Sequence, residues 1–286
     1  MIRRIFITGG TGKTGQALLR RLAVENIPIT CLCRTGGRFE LLERFDVRIA
    51  EGDASDAESL SAAYGGEETV IHLSSIFHTA SVLEGCFGMK RLIAVSSTGV
   101  FSKYRRAAGA IAEAERAIAS SGLDYTILRP TMIFGTPDDR NMSRLIRLVR
   151  RRRIIPLPAA GRSVFQPVHA DDLASCIVAS LASKTSVGKS YNVPGGSAHS
   201  LREIVSIIAG LLGKRVHVAP VPLGAALLAV RLAKSLRPGM RLDTEQVERL
   251  RENKSFDYSE AARDVGYAPM SFPDGVRRQI VEMGYA

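Results

Sequence analysis

Three glycines directly after the first apolar run constrain the fold of this chain more than any other feature. Gly9, Gly12 and Gly15 stand in FITGGTGKTG with G-x-x-G-x-x-G spacing. Glycine lets the backbone turn tightly and approach a pyrophosphate, and the helix that follows offers N–H groups and the positive end of its dipole. Because a second apolar run follows closely, the motif lies in a β-α-β context and predicts a dinucleotide-binding loop.

Short apolar runs alternate with helical patterns through the first half of the chain. They predict strands at 3–8, 28–33, 46–50, 69–73, 91–96 and 124–128, with helices at 13–25, 56–64 and 103–120. Near-continuous Val, Ile and Leu runs are typical of parallel strands that are covered on both faces. We therefore predict an α/β protein with a Rossmann-type, doubly wound parallel sheet.

The pattern becomes mostly helical after Pro130. Helices are predicted at 141–152, 171–183, 200–212, 222–236, 243–253 and 274–283, with one strand at 190–193. We assign residues 1–130 to a dinucleotide-binding Rossmann domain, to which residues 164–193 return. Residues 131–163 and 194–286 are assigned to a smaller, mostly helical substrate lobe over the carboxyl ends of the strands, where such sheets bind ligands.

Positive charge limits the classes of partner. The formal net charge is +11, and six arginines lie in RLIRLVRRRR at 144–153. No aromatic residue interrupts this run, which argues against a stacking platform for nucleic acid. We therefore expect no nucleic-acid partner and a small-molecule substrate that carries phosphate, or contact with an anionic membrane surface.

Cysteine usage and hydropathy indicate the compartment. The four cysteines (Cys31, Cys33, Cys86 and Cys176) form no C-x-x-C pair. They are expected to be buried thiols of a cytoplasmic protein, with no metal site. The first residues are typical of a strand rather than of a signal peptide, and no run of eighteen apolar residues predicts a spanning helix.

The end of the second predicted strand indicates which nicotinamide cofactor is bound. Arg34 stands where an arginine can accept a 2′-phosphate, whereas an acidic residue there would bind the ribose 2′-hydroxyl. The next acidic residue is Glu40, and Lys13 adds a second cation from the glycine loop. We therefore predict NADP(H) as the preferred cofactor, with NAD(H) as the alternative.

Other strand ends complete the predicted cofactor site. Asp53 follows the third strand, where its carboxylate can accept from the adenine amino group, whereas His72 lies within the fourth strand and is expected in the core. The predicted contacts from these segments are Gly9, Thr11, Gly12, Lys13, Thr14, Gly15, Arg34, Asp53, Ala54, Leu73, Ser74, Ser75 and Ser96.

Taken together, these segments resemble the short-chain dehydrogenase/reductase superfamily, in its extended and atypical branch of NAD(P)-dependent epimerases and dehydratases. The resemblance covers nearly the whole chain and rests on TGGTGKTG (8–15), EGDASD (51–56), VIHLSS (70–75), LIAVSSTGVF (92–101), SGLDYTILRPTMIFG (121–135), FQPVHADDLA (165–174), SYNVPGG (190–196) and FDYSEAARDVGYAP (256–269). It implies that Pro130 and Thr131 contact the nicotinamide, that Ser97 is the serine of the proton relay, and that His169 and Asp171 anchor the lobe.

The rest of that proton relay is missing from its usual place. In the superfamily a Tyr-x-x-x-Lys pair follows on the next helix, with the lysine four residues and the tyrosine eight residues before a glutamate. Neither register supplies the pair: Glu115 leads back to Ala107 and Ile111, and Glu113 leads back to Arg105 and Gly109.

Tyr104 is the phenol that could stand in for the missing tyrosine. It lies one helical turn before Ala107, so it would share that face only if the helix began early enough. The alternative is that Lys103 and Tyr104 lie in solvent at the helix start. We therefore take Ser97 and Tyr104 as the candidate catalytic residues.

Three hypotheses about function follow. The first is an NAD(P)(H)-dependent oxidoreductase or epimerase-like enzyme acting on a small carbonyl or hydroxyl substrate such as a nucleotide sugar. The second, which the missing pair favours, is a non-catalytic NAD(P)-binding sensor or assembly subunit. The third is a membrane-surface reductase of a lipid-like substrate, because Arg231, Lys234, Arg237 and Arg241 recur at helical spacing within the apolar stretch 221–242. That stretch could equally be a lobe helix with a solvated face, and the sequence leaves the oligomeric state open.

Overall fold

A seven-stranded parallel sheet forms the centre of the protein in a computed structural model, which describes residues 4–139, 141–158, 161–236 and 244–285. Its strands are β1 (Ile5–Thr8), β2 (Ile29–Cys33), β3 (Arg48–Glu51), β4 (Thr69–His72), β5 (Arg91–Val95), β6 (Asp124–Pro130) and β11 (Lys189–Val193). The spatial order is β11-β6-β5-β4-β1-β2-β3. The predicted doubly wound fold is thereby confirmed, and its topological switch point lies between β1 and β4.

Helices cover both faces of this sheet because its strands carry apolar side chains on both faces. The helices are α1 (Lys13–Leu22), α2 (Ala57–Ala63), α3 (Thr79–Gly85), α4 (Ala108–Ala119), α5 (Met142–Arg151), α6 (Ala170–Ala182), α7 (Leu201–Leu211), α8 (Leu223–Leu236), α9 (Thr244–Glu248), α10 (Ser259–Val265) and α11 (Phe272–Glu282). Ile5 and Ile7 of β1 join the core that α1 and α6 form, whereas Phe6 joins the core on the side of α2, α3 and α4.

The lobe over the sheet edge contains short strand pairs as well as helices. These strands are β7 (Ile133–Phe134), β8 (Ile154–Pro158), β9 (Val164–Phe165), β10 (Val168–His169), β12 (His199–Ser200) and β13 (His217–Val221). They pair as β7 with β10, β8 with β13 and β9 with β12. The sequence prediction of a mostly helical lobe missed β8 and β13 because Pro156, Pro158 and Pro220 interrupt their apolar runs, and it missed the other four because each is only two residues long.

Two predicted helices are wrong at their ends. Residues 103–107 form a bend and a turn, so the helix predicted at 103–120 begins at Ala108. In place of helical bonds, the N–H of Lys103 donates to Glu252 at 2.7 Å and the N–H of Arg105 donates to the Ser102 hydroxyl at 3.1 Å. Side-chain acceptors of this kind compete with helix formation. The helix predicted at 243–253 is α9 followed by a 3₁₀ turn at 249–251.

Some expectations fall outside the part of the chain that the structure describes. These include residue 3 of the first predicted strand, residue 243, and Arg237 and Arg241 of the basic stretch. Within the described ranges, no helix combines the length and apolarity needed to cross a bilayer, and no group of three or more His, Cys, Asp or Glu side chains could hold a metal ion. The four cysteines are buried and form no disulfide.

Candidate functional site

The loop between β1 and α1 contains glycines at which neighbouring backbone atoms leave no room for a side chain. Gly9 has a φ of +79°, and a Cβ there would lie 2.7 Å from the Ser74 nitrogen. A Cβ at Gly15 would lie 2.4 Å from the Gly10 oxygen. Gly12 is the N-cap residue of α1 and carries no side chain that could accept its first-turn amides. The helix start can therefore receive an anion such as a pyrophosphate.

Arg34 and Asp53 line one cavity of about 390 Å³ beside the ends of β2 and β3. The Asp53 carboxylate accepts from the N–H and the hydroxyl of Ser55 at 2.9 and 2.8 Å. The backbone hydrogen bond from Ser55 is the main reason why the pKa of Asp53 is lowered, with a smaller contribution from Arg34. This cavity thus presents a carboxylate that Ser55 holds in place and an exposed guanidinium.

A polar network joins the carboxyl ends of β1 and β4. The Nδ1 atom of His72 lies 2.8 Å from the Thr8 hydroxyl and 3.2 Å from the Ser74 hydroxyl. Burial lowers the pKa of His72 to about 4, so the ring is neutral near pH 7. His72 therefore lies in the core, as its position within the strand predicts, and the Ser74 hydroxyl bonds to it.

The predicted cofactor residues all follow carboxyl ends of strands, although several of their side chains have partners within the protein. Lys13 Nζ donates to the Ile133 carbonyl at 2.8 Å, which directs it toward β7 rather than toward Arg34. The Thr131 hydroxyl donates to the Gln166 carbonyl. Thr11 lies in the glycine loop, and Thr14 is buried in the first turn of α1. Ala54 is buried after β3, and Pro130 is the last residue of β6. Ser74 lies between Leu73 and the exposed Ser75.

Ser96 and Glu115 belong to a buried cluster behind the sheet edge. The Ser96 hydroxyl donates to Glu115 at 2.5 Å, and Arg129 binds the same carboxylate through two nitrogens at 2.7 to 3.0 Å. The Glu115 side chain is 8% exposed, so this pair is well shielded from water. Ser96 can therefore contact a dinucleotide through its backbone, while its hydroxyl stabilises the ion pair.

A larger cleft of about 1000 Å³ opens between the sheet edge and the lobe. Ser97, Tyr104 and Thr131 line it together, so the structure brings both candidate catalytic residues to one cavity. Among the described residues that line the cleft, the ionisable basic ones are Lys103, Arg144, Arg249, Arg251 and Lys254, and the acidic one is Glu252.

The wall of this cleft is a contact between residues 102–106 and the segment 245–254 of the lobe. Glu252 accepts from the Ser102 hydroxyl and the Lys103 N–H, both at 2.7 Å. The Arg251 guanidinium lies 5.5 Å from the centre of the Tyr104 ring. Tyr104 is therefore not on the helix, since α4 begins later, but is half-buried in the cleft wall beneath Arg251.

Arg105 also belongs to this site. In the sequence it stands eight residues before Glu113, where the superfamily has its tyrosine. Its Nη1 atom donates to the Ser97 hydroxyl oxygen at 3.2 Å. Burial, with a further contribution from Arg249, lowers the pKa of Arg105. The same two causes lower the pKa of Lys254 to about 8. Arg249 thus lies close enough to both Arg105 and Lys254 for its charge to affect theirs.

Comparison with known proteins identifies relatives of three kinds. A family model described as NAD(P)H-binding matches residues 9–184. NADH dehydrogenase [ubiquinone] 1 alpha subcomplex subunit 9 of Arabidopsis thaliana is 32% identical over 148 residues, which cover 50% of this chain and 37% of that protein. The 2-alkyl-3-oxoalkanoate reductase of Stenotrophomonas maltophilia is 25% identical over 327 residues, covering 96% of this chain and 98% of the reductase. The UDP-glucose 4-epimerase structure from Thermotoga maritima has the same fold, with a TM-score of 0.76, 17% identity and 98% coverage of both chains.

Proposed function

This chain belongs to the NAD(P)H-binding family of atypical short-chain dehydrogenase/reductase-like proteins, and from that premise we propose that it is an NADPH-dependent reductase of a small anionic ketone. The glycine loop, whose close backbone contacts leave no room for side chains, fits the pyrophosphate of such a cofactor. Bound NADPH would supply a hydride, and the residues of this chain would bind and orient the ketone in the adjoining cleft.

The charge of the cleft carries the proposal. Five basic side chains and one carboxylate line its described part, and that carboxylate already accepts two hydrogen bonds. Arg249 contributes to lowering the pKa of both Arg105 and Lys254, which shows that its positive charge repels theirs. A carboxylate or phosphate on the substrate would relieve this repulsion.

The name of one relative suggests a substrate that matches this charge. The 2-alkyl-3-oxoalkanoate reductase resembles this chain over nearly its full length. A 3-oxoalkanoate carries both a ketone and a carboxylate. A nucleotide sugar would also present negative charge to the cleft. The charge of the cleft therefore does not distinguish oxo acids from nucleotide sugars, and turnover of each class has to be measured.

Cofactor preference gives the first test, and Arg34 is its target. We expect NADPH to bind more tightly than NADH, and Arg34→Glu to narrow or reverse that preference because it replaces a phosphate partner with a repelling carboxylate. Losing one charge-assisted bond should cost roughly 1.5–3 kcal/mol, or about 10- to 150-fold in NADPH affinity. Fluorescence titration with both cofactors measures it, and Arg116→Glu on the exposed side of α4 is the control. Equal affinity of the native protein for both cofactors would contradict the assignment.

Substrate charge gives the second test. NADPH oxidation should be faster with a 2-alkyl-3-oxoalkanoate than with its methyl ester at low substrate concentration. Since the pKa of Lys254 is about 8, this lysine loses its charge as the pH rises above 8, and kcat/KM for the acid should then fall. The ester should show no such fall, and Lys254→Met should remove the step from the profile of the acid.

The outcomes of that assay separate the competing functions. Turnover of UDP-sugars but not of oxo acids would favour the epimerase-like alternative. NADPH binding without turnover of either class would favour a non-catalytic sensor or assembly subunit, the class suggested by the missing Tyr-x-x-x-Lys pair. Equal kcat/KM for acid and ester across the pH range would remove the charge argument.

A second candidate is a reductase that works at a membrane surface, and the exposed face of α8 favours it. Three leucines of this helix recur every four residues and so share one face. They are Leu228, Leu232 and Leu236, and each is between 57 and 84% exposed to solvent. Arg231 is also exposed on this helix. Apolar side chains beside a cation suit an anionic bilayer and a lipid-like ketone.

Vesicle binding tests this candidate. The protein should co-sediment with phosphatidylserine-containing vesicles at low salt and dissociate as the salt concentration rises. The double variant Leu228→Ser, Leu232→Ser should lose binding, whereas Val281→Ser, which changes an equally exposed residue of α11, should not. If the native protein stays in the supernatant at low salt, α8 is a lobe helix with a solvated face.

A further inference from the structure

The hydroxyl of Ser97 is held so that it can act only as a hydrogen-bond donor. A serine hydroxyl has one proton to donate and two lone pairs that accept. The Ser97 oxygen accepts from the Gly99 N–H at 3.0 Å and from Arg105 Nη1 at 3.2 Å. Both acceptor positions are therefore used, and the remaining hydrogen-bonding capacity of this cleft-lining residue is its proton.

Gly99 is what allows Arg105 to reach Ser97. A Cβ at Gly99 would lie 1.9 Å from Arg105 Nη1 and 2.9 Å from its Cζ, so the guanidinium lies directly against the glycine. The backbone of Arg105 is fixed as well, because its N–H donates to Ser102, whose hydroxyl donates to Glu252 at 2.7 Å. Burial and Arg249 lower the pKa of Arg105, and the Glu245 carboxylate partly offsets this lowering.

We propose that Arg105 is a positioning residue that fixes Ser97 as the donor to the substrate carbonyl oxygen, in place of the missing tyrosine and lysine. This inference rests on the proposed ketone reduction. Bound NADPH would supply a hydride to the carbonyl carbon, and the π electrons of the C=O bond would move to the carbonyl oxygen. The Ser97 proton would stabilise that oxygen by a hydrogen bond, and water would then protonate it and leave hydroxide.

Variants at Arg105 and Gly99 test the role in different ways. Arg105→Ala should lower kcat for the oxo acid by about 100-fold, the loss typical of one donor to a developing oxyanion, with an unchanged NADPH dissociation constant. Added guanidinium ion should restore part of kcat, which a merely structural role would not allow. Gly99→Ala should lower kcat similarly although Arg105 is retained. Arg116→Ala, which removes an exposed arginine of α4 that lies outside the cleft wall, should leave kcat unchanged.

The results distinguish this inference from the function on which it rests. No turnover of any ketone by the native protein overturns both. If the native protein turns over the ketone and Arg105→Ala has the same kcat, only the role of Arg105 is overturned. The same holds if Arg105→Ala binds NADPH normally and has a lower kcat that added guanidinium ion does not restore. If Arg105→Ala does not fold, Arg105→Lys serves instead: it should retain part of kcat, and native kcat in a folded Gly99→Ala overturns the proposal.

Discussion

Replacing Gly15 with alanine is expected to lower the affinity for NADPH by roughly two to four orders of magnitude. The added Cβ would lie 2.4 Å from the Gly10 oxygen and 2.5 Å from the Gly9 oxygen, and neither backbone atom can move without moving the loop. The pyrophosphate would then lose about two charge-assisted bonds to backbone amides, each worth roughly 1.5–3 kcal/mol. Fluorescence titration with NADPH measures the loss, and thermal unfolding without cofactor shows whether the variant is folded.

Two other glycines provide a graded series for this test. A Cβ at Gly12 would lie 3.2 Å from the Gly9 oxygen, so Gly12→Ala should weaken NADPH binding less than Gly15→Ala. Gly210 in α7 has no atom within 4 Å of its ideal Cβ, so Gly210→Ala should bind NADPH normally and gain about 0.5–1 kcal/mol of stability. A folded Gly15→Ala variant with native affinity would show that this loop does not hold the pyrophosphate.

The strands of the central sheet could be predicted because each one leaves a pattern in its own short stretch of sequence. Strands such as β1 and β4 are buried on both faces, so their residues form continuous apolar runs that are visible in the sequence. The lobe strands were missed for the opposite reason. β8 and β13 are bounded or interrupted by prolines and are only partly buried, so their pairing depends on contacts between residues 154–158 and 217–221. Such distant contacts leave no local pattern.

The start of α4 shows how tertiary contacts override a helical pattern. Residues 103–107 precede an alanine-rich helix and contain no proline or glycine. They nevertheless form a bend and a turn, because Glu252 from the lobe accepts from Ser102 and Lys103. Helix propensity is worth less than 1 kcal/mol per residue, so two charge-assisted bonds outweigh it. The position of Tyr104 in the cleft wall follows from this contact.

The candidate site was predictable where residues follow strands and unpredictable where the lobe contributes. The sequence led to Arg34 and Asp53 because the carboxyl ends of parallel strands meet at one edge, and it led to Ser97 through the family resemblance. It did not lead to Lys254, which reaches the cleft from the far end of the chain and pairs with Phe165 as an isolated bridge. The position of Arg105, eight residues before Glu113, could have marked it as a site residue. Its contact with Ser97, however, depends on the non-helical segment that stands in place of the first turn of the predicted helix.

Replacing Ser97 with alanine is expected to lower kcat for the oxo acid by roughly 10²–10³-fold, equivalent to about 2.7–4 kcal/mol of barrier, the loss typical of one donor to a developing oxyanion. The variant removes the proton that the Ser97 hydroxyl can donate while leaving the glycine loop and the cavity of Arg34 untouched. The NADPH dissociation constant should therefore stay native. Ser120→Ala, at the exposed end of α4, is the matched control and should retain native kcat. Full activity of Ser97→Ala would remove Ser97 from the reaction.

Tyr104→Phe then shows which group supplies the proton. Because the ring lies beneath Arg251, phenylalanine preserves that packing and removes only the hydroxyl. If the phenol donates the proton, Tyr104→Phe should lower kcat, and its combination with Ser97→Ala should cost less than the product of the two single effects, since residues of one relay act as a unit. If water donates the proton, Tyr104→Phe should keep native kcat while Ser97→Ala does not. Because Ser97 already accepts from Arg105 and Gly99, it has no lone pair left for Tyr104, and we expect the smaller effect at Tyr104.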